Sequence, residues 1–495
     1  LTDTRVHKPS TTQTYNLAER RTYDHAGRPV DYFHKLGSVE THISNLKYDI
    51  EDQIIERNLG KVTSPLNTWL QSVDYTYNAQ GWLTKINDQT LTGAYLAFPA
   101  GCLPPFPNPG AYTAQANPDP NDLFYLELRY DVPFSGSSGA ITGMPTTGSQ
   151  KSGNIAQLAW RVKGRDRQSY HFTYDYLDRL STAAYYDVTG GNTATATNRF
   201  NETLTYDVRG NISTLSRTGF YQNGGVCGFA TIDQLSYGYF SNTNKLRTVA
   251  DAAPTTNNQR NFGFNPGAGG AGYTYDMNGN IKTDTYKGIT NIAYNHLNLP
   301  TSIQWGTAKK MDIVYDAAGL QLSRTVYTGA TIDYKQDYVA GTEYRTVGAA
   351  RKLESIAHAE GRRYNVNVNT GSSTESIRIE YAIRDHLGNT RLTFTDKNSN
   401  GKIDVTTTGT NEILSEQHYY PFGLSYGGNL WMNDAADIDN RYLYNGKELN
   451  SDHGLGWYAY GARYYDPGLG RFTGIDPIAD QFPHVSPYNY AENEP

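Results

Sequence analysis

A short pattern recurs along this chain and limits its fold more than any bulk property does. Two aromatic or β-branched residues stand two apart, then Tyr-Asp, then a short turn with Gly or Asn, then an apolar residue. The clear copies are RTYDHAGRPV (Tyr23, Asp24, Gly27), YTYNAQGWLTKI (Tyr77, Asn78, Gly81), LTYDVRGNISTL (Tyr206, Asp207, Gly210), YTYDMNGNIKTD (Tyr275, Asp276, Gly279) and IVYDAAGLQLSR (Tyr315, Asp316, Gly319). FTYDYLDRLSTA (Tyr174, Asp175) and IAYNHLNLPTSI (Tyr294, Asn295) are degenerate copies. The shorter steps between these copies run from 19 residues (Tyr275 to Tyr294) to 32 (Tyr174 to Tyr206), and the longest is 97 (Tyr77 to Tyr174).

Each copy reads as strand, turn, strand. Alternating Tyr and Thr before the Asp are strand chemistry at period two. Asp bonds backbone amides two residues on and opens a turn. Gly or Asn then takes the positive-φ seat of a tight connection. No segment of helical period persists for ten residues. NEILSEQHYY (411–420) is the nearest, and it runs into Pro421. Propeller blades repeat at a steadier spacing of about 40–50 residues, so the variable step favours a ribbon of strands with inserted loops. The Pro-rich stretch 98–122 reads as an insertion, and 190–198 and 251–272 read as loops.

Composition agrees and excludes some functions. Tyr numbers 41 against 16 Phe and 6 Trp, and its polar tip suits half-wet sheet faces. A formal net charge of −6 leaves no basic footprint for nucleic acid. No run approaches the roughly 18 apolar residues of a membrane span. Two cysteines, Cys102 and Cys227, do not make a disulfide framework. The chain starts at Leu1 rather than Met, so a longer precursor is expected, and the lack of a signal peptide says nothing about export.

The Tyr-Asp repeats resemble the RHS/YD-repeat family, loosely over 15–345. The likeness tightens in YAIRDHLGNTRLTFTD (381–396), HYYPFGLSY (418–426), RYLYNGKELNSDHGLGWYAYGARYYDPGLGRFTGIDPIAD (441–480) and SPYNYAENEP (486–495), which resemble the RHS repeat-associated core domain. DLFYLELRYDVP and SGNIAQLAWRVKG resemble variants found in Bacteroidota. The resemblance implies an all-β spiral ribbon of antiparallel strands forming a hollow shell, a cocoon closed at one end by the core domain. Residues 1–380 would be the shell and 381–495 the core, with a toxin domain following residue 495. The cavity would hold that C-terminal effector, and in several family members the core clips it free. An immunity protein is a further expected partner. The rival expectations are a cell-surface interaction or adhesion protein, and cargo or partner of an outer-membrane secretion machine (type 9 secretion, given the Bacteroidota likeness). Both leave the protein secreted or at the cell surface.

The family's self-cleavage looks like aspartyl chemistry, in which two close carboxylates share one proton and divide the acid and base roles. Carried over, GRFTGIDPIAD supplies Asp476 as one partner, and the second is expected beyond SPYNYAENEP. Ile478-Ala479 departs from the Gly that cleaving members often carry after this Asp-Pro. The plain alternative for Asp476 is a turn residue capping amides before Pro477. Asp466, in YYDPGLGRF, is expected to be structural. Arg463 and Arg471 read as surface residues, with a carboxylate bridge as the alternative.

DKNSNGKID spaces oxygens as a Ca²⁺ loop does: Asp396, Asn398 and Asn400, then Gly401, the Lys402 carbonyl and Asp404. Thr407 stands where a bidentate Glu is usual, and strands rather than helices flank the loop. An Asn-Gly hairpin turn is the alternative. No cofactor is required on this reading, and Ca²⁺ is the one candidate. His418 reads as a packed, hydrogen-bonded histidine, and NDAADIDN (433–440) as a solvated loop.

Overall fold

The computed structural model describes residues 2–7, 14–63, 67–88, 121–131, 133–134, 141–146, 152–189, 192–223, 226–254, 262–265, 270–370, 372, 374–405, 411–427, 433 and 439–495. Among these the chain is all β with short 3-10 turns and no α-helix. A 16-stranded sheet runs from Thr2–His7 to Leu246–Asp251, a 2-stranded hairpin follows, an 11-stranded sheet runs from Asn291–Tyr294 to Ile413–Glu416, and a 4-stranded sheet ends with Arg471–Phe472. Successive strands pair antiparallel with their sequence neighbours almost throughout. Within the 16-stranded sheet the exception is that Glu202–Tyr206 pairs with Leu180–Thr189, which leaves Thr193–Ala196 beside Leu180–Thr189 and off the path.

The repeat explains this plan residue by residue. In the copy at Asp207, the Oδ1 atom accepts from the amides of Arg209 (2.8 Å) and Asn211 (2.9 Å). The Gly210 amide donates to the Asp207 carbonyl at 3.1 Å, with Gly210 at φ +77°. The same turn forms at Asp24, Asn78, Asp175, Asn295 and Asp316. The degenerate copies place Asp178 (φ +61°) and Asn298 (φ +60°) in the glycine seat. Asp and Asn tolerate that region better than other side chains do.

The repeat tyrosine has its own task. Tyr206 Oη donates to the Leu180 carbonyl at 2.6 Å, and Tyr77, Tyr239 and Tyr294 reach Ile54, Ile212 and Ile281 in the same way. Each acceptor lies five positions after the Asp of an earlier turn. The phenol therefore latches one turn to its predecessor, which a Phe could not do. Two copies lack a clear pattern in the sequence yet form the turn: Asp49, with Asp52 at φ +66°, and Asp385, with Gly388 at φ +78°.

The ribbon returns on itself. Arg363 Nε donates to His34 Nδ1 at 2.8 Å, Arg57 pairs with Glu360 at 3.0 Å, and Arg5 reaches the Ala340 carbonyl at 3.0 Å. One apolar cluster extends from Tyr32 to Tyr490, so both large sheets and the C-terminal segment share a core.

One local expectation changes. Residues 193–196 form a strand rather than a loop, because Thr and Ala there extend the Leu180–Thr189 ladder. Within 411–420, Ile413–Glu416 is a strand, as the buried Ile413 and Leu414 require against the Thr390–Phe394 strand. The division at 380/381 falls inside the strand Ile377–Arg384. Residues 98–120, including Cys102, and 434–438 lie outside the described residues, so a Cys102–Cys227 bridge does too.

Candidate functional site at the second Asp-Pro motif

The segment 444–490 is an aromatic plug. Tyr465 and Tyr490 approach to 4.4 Å between ring centroids, and Tyr460 and Tyr490 both donate to Asn445 Oδ1. Tyr444 and Tyr465 donate to the carbonyls of Pro421 and Phe422, each at 2.7 Å. Every buried phenol named here thus has an acceptor, which is what burying a Tyr demands.

The first Asp-Pro is built into this plug. Asp466 is 3% exposed. Its Oδ1 accepts from the Gly468 amide (3.0 Å), and its Oδ2 accepts from Trp457 Nε1 (2.9 Å) and faces Lys287 Nζ (3.2 Å). The turn it opens docks on Arg217, which donates to the carbonyls of Gly468 (2.8 Å) and Pro467 (3.2 Å). Both oxygens of Asp466 are thus engaged inside the plug, the arrangement a structural role calls for.

Asp476 sits differently. It lines a cleft of about 260 Å³ between the C-terminal segment and the repeat turns that carry Asn278, Asn280 and Asn298. Its Oδ1 accepts from the Ile478 amide at 3.0 Å, which is the turn-capping geometry expected of Asp-Pro. Its Oδ2 meets Arg463 Nη2, and the same guanidinium donates to the Pro487 carbonyl at 3.3 Å and lies 3.7 Å over the Phe472 ring. The Asp476 amide donates to the Pro487 carbonyl at 2.9 Å. Capping and exposure to a cleft coexist here. The other carboxylate lining the cleft is Asp480, which is solvent-exposed.

The surface reading of the two arginines fails. Arg463 takes the bridging alternative, with Asp476 as its partner. Arg471 is buried and donates to Tyr239 Oη (3.2 Å) and the Asn244 carbonyl (3.0 Å), between the rings of Tyr239 and Tyr488. The segment 486–493 then ties the plug to the repeats. Tyr488 Oη donates to the Gly279 carbonyl (2.7 Å), Ser486 Oγ to Asn211 Oδ1 (2.7 Å), and Asn493 Nδ2 to the Gly210 carbonyl (3.0 Å).

The loop 396–404 is closed by its own side chains. Asp396 accepts from the amides of Asn400 and Gly401, and both Asn398 and Asn400 donate their side-chain amides to Asp404 Oδ2 at 2.9 Å. Buried Glu412 joins the loop from outside the motif, accepting from the amides of Lys397, Asn398 and Asp404. Lys402 sits with its amide on Asn400 Oδ1 at 2.9 Å. Among the described residues no group of three or more His, Cys, Asp or Glu side chains is arranged to hold a metal.

His418 is buried. Its Nδ1 accepts from Trp160 Nε1 at 2.9 Å, which places the proton on Nε2, facing Glu416 at 2.9 Å. Burial pushes its pKa down to about 4.

The sequence reading missed the buried ionic sockets. Arg217 bridges Glu202 (2.6 Å) and Asp233 (3.1 Å), all three fully buried. Arg441 joins Glu343, Glu354 and Glu448. The register holds a signal: Glu202, Arg217 and Asp233 stand directly opposite one another on three consecutive strands.

With this geometry in hand, the relatives of the chain can be placed. No protein-family profile matches it. Toxin subunit YenC1 of Yersinia entomophaga is 30% identical over 146 residues, which is 28% of this chain and 14% of that protein. Salivary gland surface protein 1 of Aedes aegypti is 36% identical over 114 residues, 22% of this chain and 3% of that protein. The crystal structure of TcdB2-TccC3 superposes over 98% of this chain and 22% of its own, with a TM-score of 0.63 and 16% identity. The complex of TcdB2-TccC3 with Cdc42 gives 98%, 21%, 0.64 and 16%.

These proteins point to the RHS-repeat shells of Tc toxins. The chain has that all-β shell fold over nearly its full length. It spans about a fifth of the solved chains it superposes on.

Proposed function

We propose that this chain is the closing part of an RHS-type shell that encases an effector carried on the same polypeptide, in an exported protein. The observation that carries this reading is the superposition of 98% of the chain on TcdB2-TccC3, together with a C-terminal plug latched onto repeat turns more than 200 residues away. The shell would act by excluded volume, keeping the effector from its targets until release. The test uses a precursor extending past Pro495. Residues after 495 should resist added protease while the shell is folded and be digested once it is unfolded by urea. Digestion at equal rates in both states overturns the shell reading.

Self-cleavage is a separate proposal on the same precursor. Asp476 would be one of two catalytic carboxylates, with the Arg463 guanidinium holding its Oδ2 in place. Asp476→Asn should leave the precursor uncut on a denaturing gel. A precursor still clipped with Asn at 476 removes Asp476 from the chemistry and leaves the shell intact as an idea.

A surface-displayed interaction protein is the second reading. The match to a salivary gland surface protein at 36% identity favours it. Antibody labelling of intact cells separates the two readings.

The loop at 396–404 is proposed to take Ca²⁺ weakly, on the order of 0.1–1 mM as in extracellular modules. Asp396, Asn398, Asn400, the Lys402 carbonyl and Asp404 would turn oxygens onto the ion in place of the amide contacts to Asp404. Calorimetry should show uptake that Asp404→Ala abolishes, and no heat at 5 mM (about five times the upper bound) sinks the proposal.

A further inference from the structure

Where the ribbon returns on itself, four guanidinium groups meet two carboxylates. Arg57 pairs with Glu360 at 3.0 Å and Arg362 with Glu380 at 2.9 Å. Arg363 and Arg384 have no carboxylate at ion-pair distance among the described residues: Arg363 is held by His34 and Thr41, and Arg384 by the Ala359 carbonyl at 3.3 Å. Beside Arg384 lies a partly open cavity of about 340 Å³. Its lining mixes apolar side chains such as Leu83 and Ile86 with polar groups from Arg57, Arg384, His386, Tyr75 and Asp385.

Two of those polar groups carry a buried nitrogen with no hydrogen-bond partner among the described residues, Arg57 Nε and His386 Nδ1. The acid on the cavity rim does not answer them. Asp385 already accepts from the amides of Leu387 and Asn389, from Asn389 Nδ2, each at 3.0 Å, and from Arg391 at 3.3 Å. Burial, and after it the neighbouring Arg57, pulls the Arg384 pKa down against the opposing pull of Glu360 and Glu380. Arg384 is partly exposed, so the excess positive charge here is open to a ligand, and a pocket that pairs apolar side chains with a few convergent polar groups can hold a small one.

We propose that this cavity binds a carboxylate group on an apolar body, with Arg384 and Arg57 Nε taking its oxygens. Arg suits that task because its planar fork matches a carboxylate. The volume suits a benzoate-sized ligand or one acidic side chain with its apolar neighbours. The proposal stands independently of the shell reading.

Two probes distinguish the sources of such a group. Benzoate represents a small free carboxylate, and the capped tripeptide acetyl-Leu-Glu-Leu-amide represents a polypeptide side chain. Calorimetry with the whole chain should show saturable binding of one or both, and the tighter names the source. Benzamide and the Gln tripeptide, which keep shape and lose charge, should bind at least tenfold more weakly. Arg384→Gln should weaken the acidic probes about tenfold, and Leu83→Trp, which fills the cavity and leaves the cations, should do so as well. Equal affinity for charged and neutral probes, or no saturable binding of either acid, overturns the proposal. So does full affinity in Leu83→Trp.

Discussion

The turn at Asp207 and the socket at Arg217 lie ten residues apart in sequence and are built on opposite principles. At Asp207, the carboxylate is answered by amides two and four residues on and by the Asn211 side chain. Around Arg217, the partners come from Glu202, Asp233 and the carbonyls of residues 467–468, so two neighbouring strands and the C-terminal plug must all be in place. One is a local device repeated many times over. The other is a single long-range contact that couples the ribbon to its closure.

That difference sets the order of expected damage. Arg217→Leu leaves two buried carboxylates without their cation and frees the Asp466-Pro467 turn. Breaking one side of a buried ion pair costs about 3–5 kcal/mol. Asp207→Ala should cost about 1 kcal/mol, the worth of one set of turn hydrogen bonds. Urea unfolding of both variants measures the gap. Equal losses would mean that the socket is no more than another turn.

The next effect depends on pH. Asp284 is buried beside Lys287 and Asp466, and burial raises its pKa from 3.8 to about 6. The native state then holds the proton more tightly than the unfolded chain does. Its contribution is full below the ordinary value and is lost as pH rises through about 6. Asp284→Asn keeps the acceptor that Tyr286 and Lys287 use and removes the buried charge. It should stabilise the protein by up to about 3 kcal/mol at pH 8 and by nothing below pH 4. His418 runs the other way: with its pKa near 4, its contribution is full above the ordinary histidine value and is lost as pH falls through 4. A stability profile of Asp284→Asn parallel to wild type across this range would remove Asp284 from the account.

The contrast also explains what the sequence disclosed. Asp, Gly and Tyr at fixed spacing state their own hydrogen bonds, so strand, turn, strand was legible at Tyr23, Tyr206 and Tyr315. The copy at Asp385 was missed because Arg384 replaces the tyrosine, while the copy at Asp49 keeps Tyr48-Asp49 and, like the recognised copy at Asp175, carries Asp in the glycine seat. Asp466 was legible as architecture, since its Pro-Gly turn is local. Asp476 was legible as a turn cap, and Arg463 as a carboxylate bridge only by way of alternative, because a thirteen-residue separation across two turns leaves no periodic trace that would choose it over the surface. Arg471 read as a surface residue for the same reason: its acceptors lie more than 200 residues away. Glu202, Arg217 and Asp233 are ordinary charges in a string and become a socket only when the register is known.

Within the repeats, the latch should matter less than the sockets. Tyr206→Phe keeps the ring and leaves the Leu180 carbonyl without its phenol, at a cost of about 1 kcal/mol. Tyr77→Phe removes the equivalent bond to Ile54, at a site more than a hundred residues from Tyr206 in sequence, and the two losses should add. A double variant that loses markedly more than the sum would show that the latches act as one cooperative ladder.

The smallest expected change is at Asp178, which holds φ +61° where other copies have Gly. Its carboxylate is absent from the turn's amide contacts, which Asp175 supplies. Asp178→Gly relieves left-handed strain of about 1 kcal/mol and adds an unfolded-state entropy cost of about 0.5–1 kcal/mol. The two nearly cancel, so the melting temperature should move by no more than a degree or two, on the order of a few tenths of a kcal/mol. A clear loss would mean that the aspartate at the turn tip does something beyond adopting its backbone angle, and that the degenerate copies are specialised rather than decayed.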